Sequence, residues 1–141
     1  MEGQMSDAAP APTGGDVQTI LVVDDEDVVR RTMVRMLQHS GFETLEAKDG
    51  SEAIHVLAQH HGRISAITLD IAMPTTDGGE TLAMLASYTP SMPIVVATAF
   101  ALGEFFGARA GTRGIGYLQK PFSREELVTE LRRVIEAMRG T

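Results

Sequence analysis

The sequence predicts an α/β domain in which five parallel strands are covered by helices on both faces. Two observations carry that prediction. Short apolar runs, "TILVV", "FETLEA", "ISAITLD", "MPIVVAT" and "IGYLQK", alternate along the chain with segments of helical periodicity. Strands that alternate with helices in this way demand crossover connections, and crossovers make parallel sheets buried on both sides. The 141 residues, 43% hydrophobic and 22% charged, suit one domain with a substantial core and leave little room for a second.

Thr19–Val23 reads as a buried first strand. The segment "VVRRTMVRMLQHSG" follows, with Val29, Met33, Met36 and Leu37 on one helical face and Gly41 as the stop. Phe42–Ala47 alternates as an edge strand does. Asp49 with Glu52 forms a capping box for a helix that buries Ala53, Val56 and Leu57. Ile64–Asp70 is a third strand, again ending on an acid, and Asp77 with Glu80 opens a helix through about Ser87. Met92–Thr98 and Ile115–Lys120 are the fourth and fifth strands. Ser123 and Glu126 cap a final helix with the stripe Leu127, Leu131, Val134, Ile135 and Met138. Residues 1–16, rich in Ala, Pro, Gly and acids, read as a disordered tail, which leaves 17–141 as the domain.

Composition narrows the function classes. A formal net charge of −7 argues against a nucleic-acid footprint or binding to an anionic membrane. The absence of cysteine excludes disulfides and thiolate metal sites. The chain has no long apolar run and no basic, apolar start of a signal peptide, so a cytoplasmic location is the expectation.

The first strand drives straight into Asp24, Asp25, Glu26 and Asp27. Two unit charges about 4 Å apart repel by roughly 4 kcal/mol at an effective dielectric near 20, so something must offset the crowding. In the doubly wound order 2-1-3-4-5, the switch point lies between strands 1 and 3, and ligands bind at the strands' carboxyl ends. Those ends carry Asp24 and Asp25, Asp70, Thr98 and Lys120. Hard oxygen donors in this number suit Mg²⁺, which keeps several waters and neutralises the acids. Lys120 offers a point charge and Thr98 a hydrogen bond for a phosphoryl group, and an Asp carboxylate can act as its nucleophile.

The motifs "VVDDE", "LDIAMPTTDG", "ATA" and "YLQKPF" resemble the receiver domain of two-component response regulators, over about Thr19 to Met138. The resemblance implies a flavodoxin-like receiver fold with Asp70 as phosphoacceptor. It implies that Asp25 binds Mg²⁺ directly, Asp24 mainly through a water, and that the Ala72 backbone carbonyl completes the protein ligands. Thr98 and Lys120 hold the phosphoryl oxygens, Tyr117 is an aromatic switch, and Lys120–Pro121 is a cis peptide. The partners are then a histidine kinase or histidine phosphotransfer protein and an output protein. The chain is a signalling phosphoacceptor rather than an enzyme, and either stands alone or belongs to something longer.

Plainer readings stand beside these. Asp24 and Asp25 alone also suit a helix start, Asp77 is read as a structural cap, and Tyr117 also suits packing. His39, His55, His60 and His61 fall on helices or their ends and are read as structural. A receiver-like adaptor would work without phosphorylation, but no pocket residue is lost. A haloacid-dehalogenase-like phosphatase would need D-x-D where this chain has "DIA". A nucleotide-binding fold would need a Gly-rich loop after the first strand, which is missing.

The chain departs from the receiver pattern around the fifth strand. Arg113-Gly114 replaces Gly-Ala, and Ile115 and Gly116 replace the acids before the switch aromatic. The helix expected over Ala101 to Gly111 carries Gly103, Gly107 and Gly111, each costing about 1 kcal/mol relative to Ala. That segment is expected either to pack a smooth face on the sheet or to be marginal and to release or bury Phe105 and Phe106 on switching. Small Ala72 and bulky Phe100, two residues beyond Asp70 and Thr98, lead to the expectation of slow self-hydrolysis.

Overall fold

The computed structural model describes residues 17–60, 62–71, 77–99 and 114–139. The expectations for residues 1–16, His61, Ala72, Phe100 and the Ala101–Gly111 helix lie outside the described residues.

Five strands, β1 (Thr19–Val23), β2 (Glu43–Ala47), β3 (Ile64–Ile71), β4 (Ile94–Thr98) and β5 (Ile115–Gln119), form one sheet in the order β2-β1-β3-β4-β5. Every neighbouring pair is parallel. The β-branched runs of β1 and β4 are buried along their whole length, while β2, at the edge, is buried only at Ala47. β4 opens at Ile94 rather than Met92, because Pro93 has no N–H to give the ladder. β3 runs one residue past Asp70, and Ile71 pairs with Thr98.

Four helices lie among the described residues: α1 (Asp27–His39), α2 (Gly50–Gln59), α3 (Asp77–Tyr88) and α4 (Arg124–Arg139). Strand alternation divides the core between them. Leu21, Val23, Ile67, Leu69 and Val96 pack with Ala53 and Leu57 of α2 and Leu82 and Leu85 of α3. Ile20, Val22, Ala66 and Val95 pack on the other face with Met33, Val34 and Leu37 of α1 and Leu127, Leu131 and Val134 of α4. Each Val, Leu, Ile or Met among them contributes about 1.5–3 kcal/mol when fully removed from water. The α1 stripe is centred on Met33, Val34 and Leu37, with Val29 and Met36 only half-buried.

The helix ends follow local chemistry. Gly41, at φ 94°, ends α1: its N–H donates to the Gln38 carbonyl and the Phe42 N–H to that of Leu37. That is the Schellman pattern, closed by buried Leu37 and Phe42. Asp49 Oδ1 accepts the Glu52 N–H at 2.8 Å, but Glu52 reaches back to the Lys48 N–H rather than that of Asp49. Ser123 and Glu126 close a full box, accepting each other's N–H at 3.0 and 2.8 Å.

One core residue lacks an outlet for its polarity. Thr68, 2% exposed, stands between Val22 and Val95, and its Oγ1 has no hydrogen-bond partner. A lone buried hydroxyl costs more than an apolar group of the same shape. Thr68→Val should therefore raise stability by about 1 kcal/mol in urea denaturation; a lower midpoint would show that the hydroxyl has a buried partner.

Candidate functional site

The registers bring the expected residues to one end of the sheet. Val23 pairs with Leu69, so β1 and β3 run in step into Asp24 and Asp70. Asp70 pairs with Ala97, and Thr98 with Gln119. The Lys120 N–H donates to the Thr98 carbonyl at 2.7 Å, which anchors Lys120 beside the end of β4. The Lys120–Pro121 peptide is cis.

Lys120 Nζ is ion-paired with Asp70 Oδ2, and the Asp70 side chain is 8% exposed. Asp24 is 4% exposed; its Oδ1 accepts the Glu26 N–H at 2.9 Å, while its Oδ2 is buried without a hydrogen-bond partner. Burial pushes the Asp24 carboxyl up to about 6, and the charges of Asp70 and Asp25 act in the same direction; the Glu26 N–H and Lys120 oppose them. Asp25 is exposed. The acids of the loop are therefore unlike one another: Asp24 is inside and bears the cost, and Asp25 is in water.

Neither acid is a simple helix cap. Glu26 occupies the N-cap of α1 without a side-chain cap bond, and Asp24 lies two residues upstream. Thr98 is fully buried. Tyr117 is half-buried against the cluster that contains Val96 and Ile94, and its N–H donates to Glu130 Oε2 at 3.1 Å. Ala72 is outside the described residues, and nothing is described of the Asp77 side chain. His39, His55 and His60 lie in or at the ends of α1 and α2, as read from the sequence.

The donor chemistry fits a small hard cation. A desolvated carboxylate oxygen with no proton donor, next to a second carboxylate, is what a divalent ion would satisfy. Among the described residues no three Asp, Glu or His side chains form a ready-made cage. Mg²⁺ needs only one or two carboxylates, because it keeps several waters. A groove of about 810 Å³ is at the other end of the sheet, lined by Val17, Glu43, Arg63, Pro93 and Arg139 among others. It contains none of these residues.

Two side chains at the site escape a sequence reading. Arg30 touches the acidic loop, with the Asp27–Arg30 spacing as its one signal. Glu130 packs beside the glycine before Tyr117. A Cβ on Gly116 would collide with Glu130 Oε2 and meet Val134 Cγ1 at 2.9 Å. Glycine there lets the carboxylate, held by Arg133 at 2.7 Å, lie across β5 and accept the Tyr117 N–H.

Residues 20–132 match the profile of the response regulator receiver domain. Similar curated proteins include the response regulator MprA of a Mycobacterium species, 38% identical over 82% of this chain and 50% of its own length. The sensor kinase CckA of Brucella abortus is 32% identical over 84% of this chain and 12% of its own length. The chain thus spans half or less of these two relatives. Among solved structures, the receiver domain of a sensor histidine kinase from Pseudomonas aeruginosa, with magnesium in its active-site cleft, superposes with a TM-score of 0.68. It is 31% identical and covers 85% of this chain and 98% of its own. A chemotaxis protein of Vibrio cholerae gives 0.69 at 31% identity, covering 84% and 98%.

Proposed function

The chain belongs to the response regulator receiver family, and from that premise we propose that Asp70 accepts a phosphoryl group from a phosphohistidine donor. The observation that carries the reading is the pairing of Asp70 with the Lys120 ammonium beside a buried Asp24 whose second oxygen has no partner.

An Asp70 carboxylate oxygen attacks phosphorus in line, the phosphorus–nitrogen bond breaks, and the leaving imidazole takes up a proton. Lys120 moves from the carboxylate to the phosphoryl oxygens, where its charge balances the group transferred. The Thr98 hydroxyl, at the end of the neighbouring strand, hydrogen-bonds to a phosphoryl oxygen. Asp24, Asp25, Asp70 and the Ala72 carbonyl would hold Mg²⁺, directly or through water, and the ion would supply charge neutralisation between the acids and the phosphoryl group. Asp24 and Asp25 keep that position anionic, and burial keeps bulk water from Asp24.

The donor is a histidine kinase or histidine phosphotransfer protein, and the product is an acyl phosphate on this chain. It turns over no other substrate; it catalyses its own modification and its slow loss. Thr98 drawing toward the phosphoryl group and Tyr117 reorienting would then bias the β5–α4 face toward an output protein. No helix among the described residues is long and apolar enough to cross a membrane.

Acetyl phosphate with Mg²⁺ should add one phosphoryl mass to the intact protein. The adduct should be labile to hydroxylamine and absent when EDTA replaces the metal. No mass gain with excess metal and donor would overturn the proposal and favour an adaptor that works unphosphorylated.

A further inference from the structure

We infer that Arg30 is a positioning residue for the acidic loop, acting through the shape of its guanidinium and against the sign of its charge. This rests on the Mg²⁺-dependent reading above. All three guanidinium nitrogens are engaged, each on a different element. Nη1 donates to the Asp24 carbonyl at 2.9 Å, Nη2 to Asp27 Oδ1 at 2.7 Å in the first turn of α1, and Nε to Glu46 Oε1 at 2.9 Å on β2. The side chain is 11% exposed.

The rest of the loop is tied in the same way. The Asp24 N–H donates to the Ala47 carbonyl at 3.1 Å, and the Arg30 N–H to the Glu26 carbonyl at 2.9 Å. Arg30 therefore fixes the peptide plane that follows Asp24, and with it the direction in which Asp24 and Asp25 leave β1. A planar fork makes three divergent bonds from one rigid group; a lysine ammonium on a flexible stem cannot reach all three acceptors.

Charge and geometry predict opposite signs. Arg30 is a cation next to the loop, so on Coulomb grounds its removal should tighten a divalent cation. If it holds the loop, its removal should loosen that cation. Outer partners that orient metal ligands change affinity by about 10–100-fold when lost.

Mg²⁺ titration followed by amide chemical shifts, well below the unfolding midpoint, separates the two. Arg30→Met and Arg30→Lys should both bind about tenfold more weakly than wild type. Arg35→Met, which removes a charge from an exposed position on the same helix, should bind no more weakly. A second readout needs no metal. In EDTA the Glu26 amide, held by Asp24 Oδ1, should exchange at least about tenfold faster in Arg30→Lys, while that of buried Leu37 in the last turn of α1 stays protected.

Wild-type affinity in Arg30→Lys, or tighter binding in Arg30→Met, would overturn the inference. So would equal acceleration at Glu26 and Leu37, which is the mark of general destabilisation. Should wild type bind no Mg²⁺ at all, the proposed function loses its metal, and the exchange comparison still decides whether Arg30 holds the loop.

Discussion

Asp70→Asn is expected to abolish phosphoryl incorporation, with labelling by acetyl phosphate and Mg²⁺ falling below about one hundredth of the wild-type rate. The reason is local. An amide lone pair is delocalised and carries no charge, so it is a far poorer nucleophile than a carboxylate. The substitution leaves the framework in place, because Asp70 lies near the end of β3 and its backbone pairing with Ala97 does not involve the side chain. Lys120 keeps an oxygen to donate to, at the loss of the charge that holds it on Asp70 in the native protein. Intact mass over a time course is the measurement, with circular dichroism to confirm the fold. Labelling of Asp70→Asn at the wild-type rate would place the phosphoacceptor elsewhere and remove the role given to the Asp70–Lys120 pair.

The sheet was legible because its information is local. A buried parallel strand is a short apolar run rich in β-branched residues, and "TILVV" and "IVVAT" are such runs. The helix boundaries were legible where one side chain serves one backbone group, as at Ser123 with Glu126 and at Gly41. That Asp24, Asp70, Thr98 and Lys120 lie at one end of the sheet followed from topology, since parallel strands end together.

What sequence could not supply is the difference between neighbours. Asp24 and Asp25 are the same residue type one position apart, yet one is buried and the other is in water, because an extended chain turns successive side chains to opposite sides. Arg30 was illegible for another reason. Its three acceptors sit in the loop after β1, on α1 and on β2, and only the assembled register brings Glu46 within reach. Gly116 read as a departure from the family pattern, and the space beside it is taken by Glu130 and Val134 of α4. The glycine-spaced segment Ala101–Gly111 lies outside the described residues, so its packing remains an expectation.

The cost carried by Asp24 leads to the second large effect, on the stability of the metal-free protein. Its folded-state carboxyl stands near 6 against an ordinary value of 3.8, chiefly through burial. Between those values the folded protein binds a proton that the unfolded chain has released. The contribution of this group is thus fully present below about pH 3.8 and is lost as pH rises through about 6. At neutral pH the ionised form leaves the fold weaker by an amount of order 1–3 kcal/mol, part of which is shared with Asp70. Asp24→Asn removes the charge and keeps an oxygen for the Glu26 N–H. In EDTA at pH 7.5 it should therefore be more stable than wild type by about that 1–3 kcal/mol. Its stability should also change less between pH 4 and 6 than that of wild type. Added Mg²⁺ should reverse the order, because a ligand that binds only the folded state stabilises wild type by mass action and finds one donor fewer in the variant. Urea denaturation at three pH values, with and without Mg²⁺, reads both effects. A metal-free Asp24→Asn protein weaker than wild type at pH 7.5, with an unchanged slope between pH 4 and 6, would mean that the buried carboxylate is compensated by something other than a cation. In that case the cation would not be what relieves the crowding of acids at the end of β1.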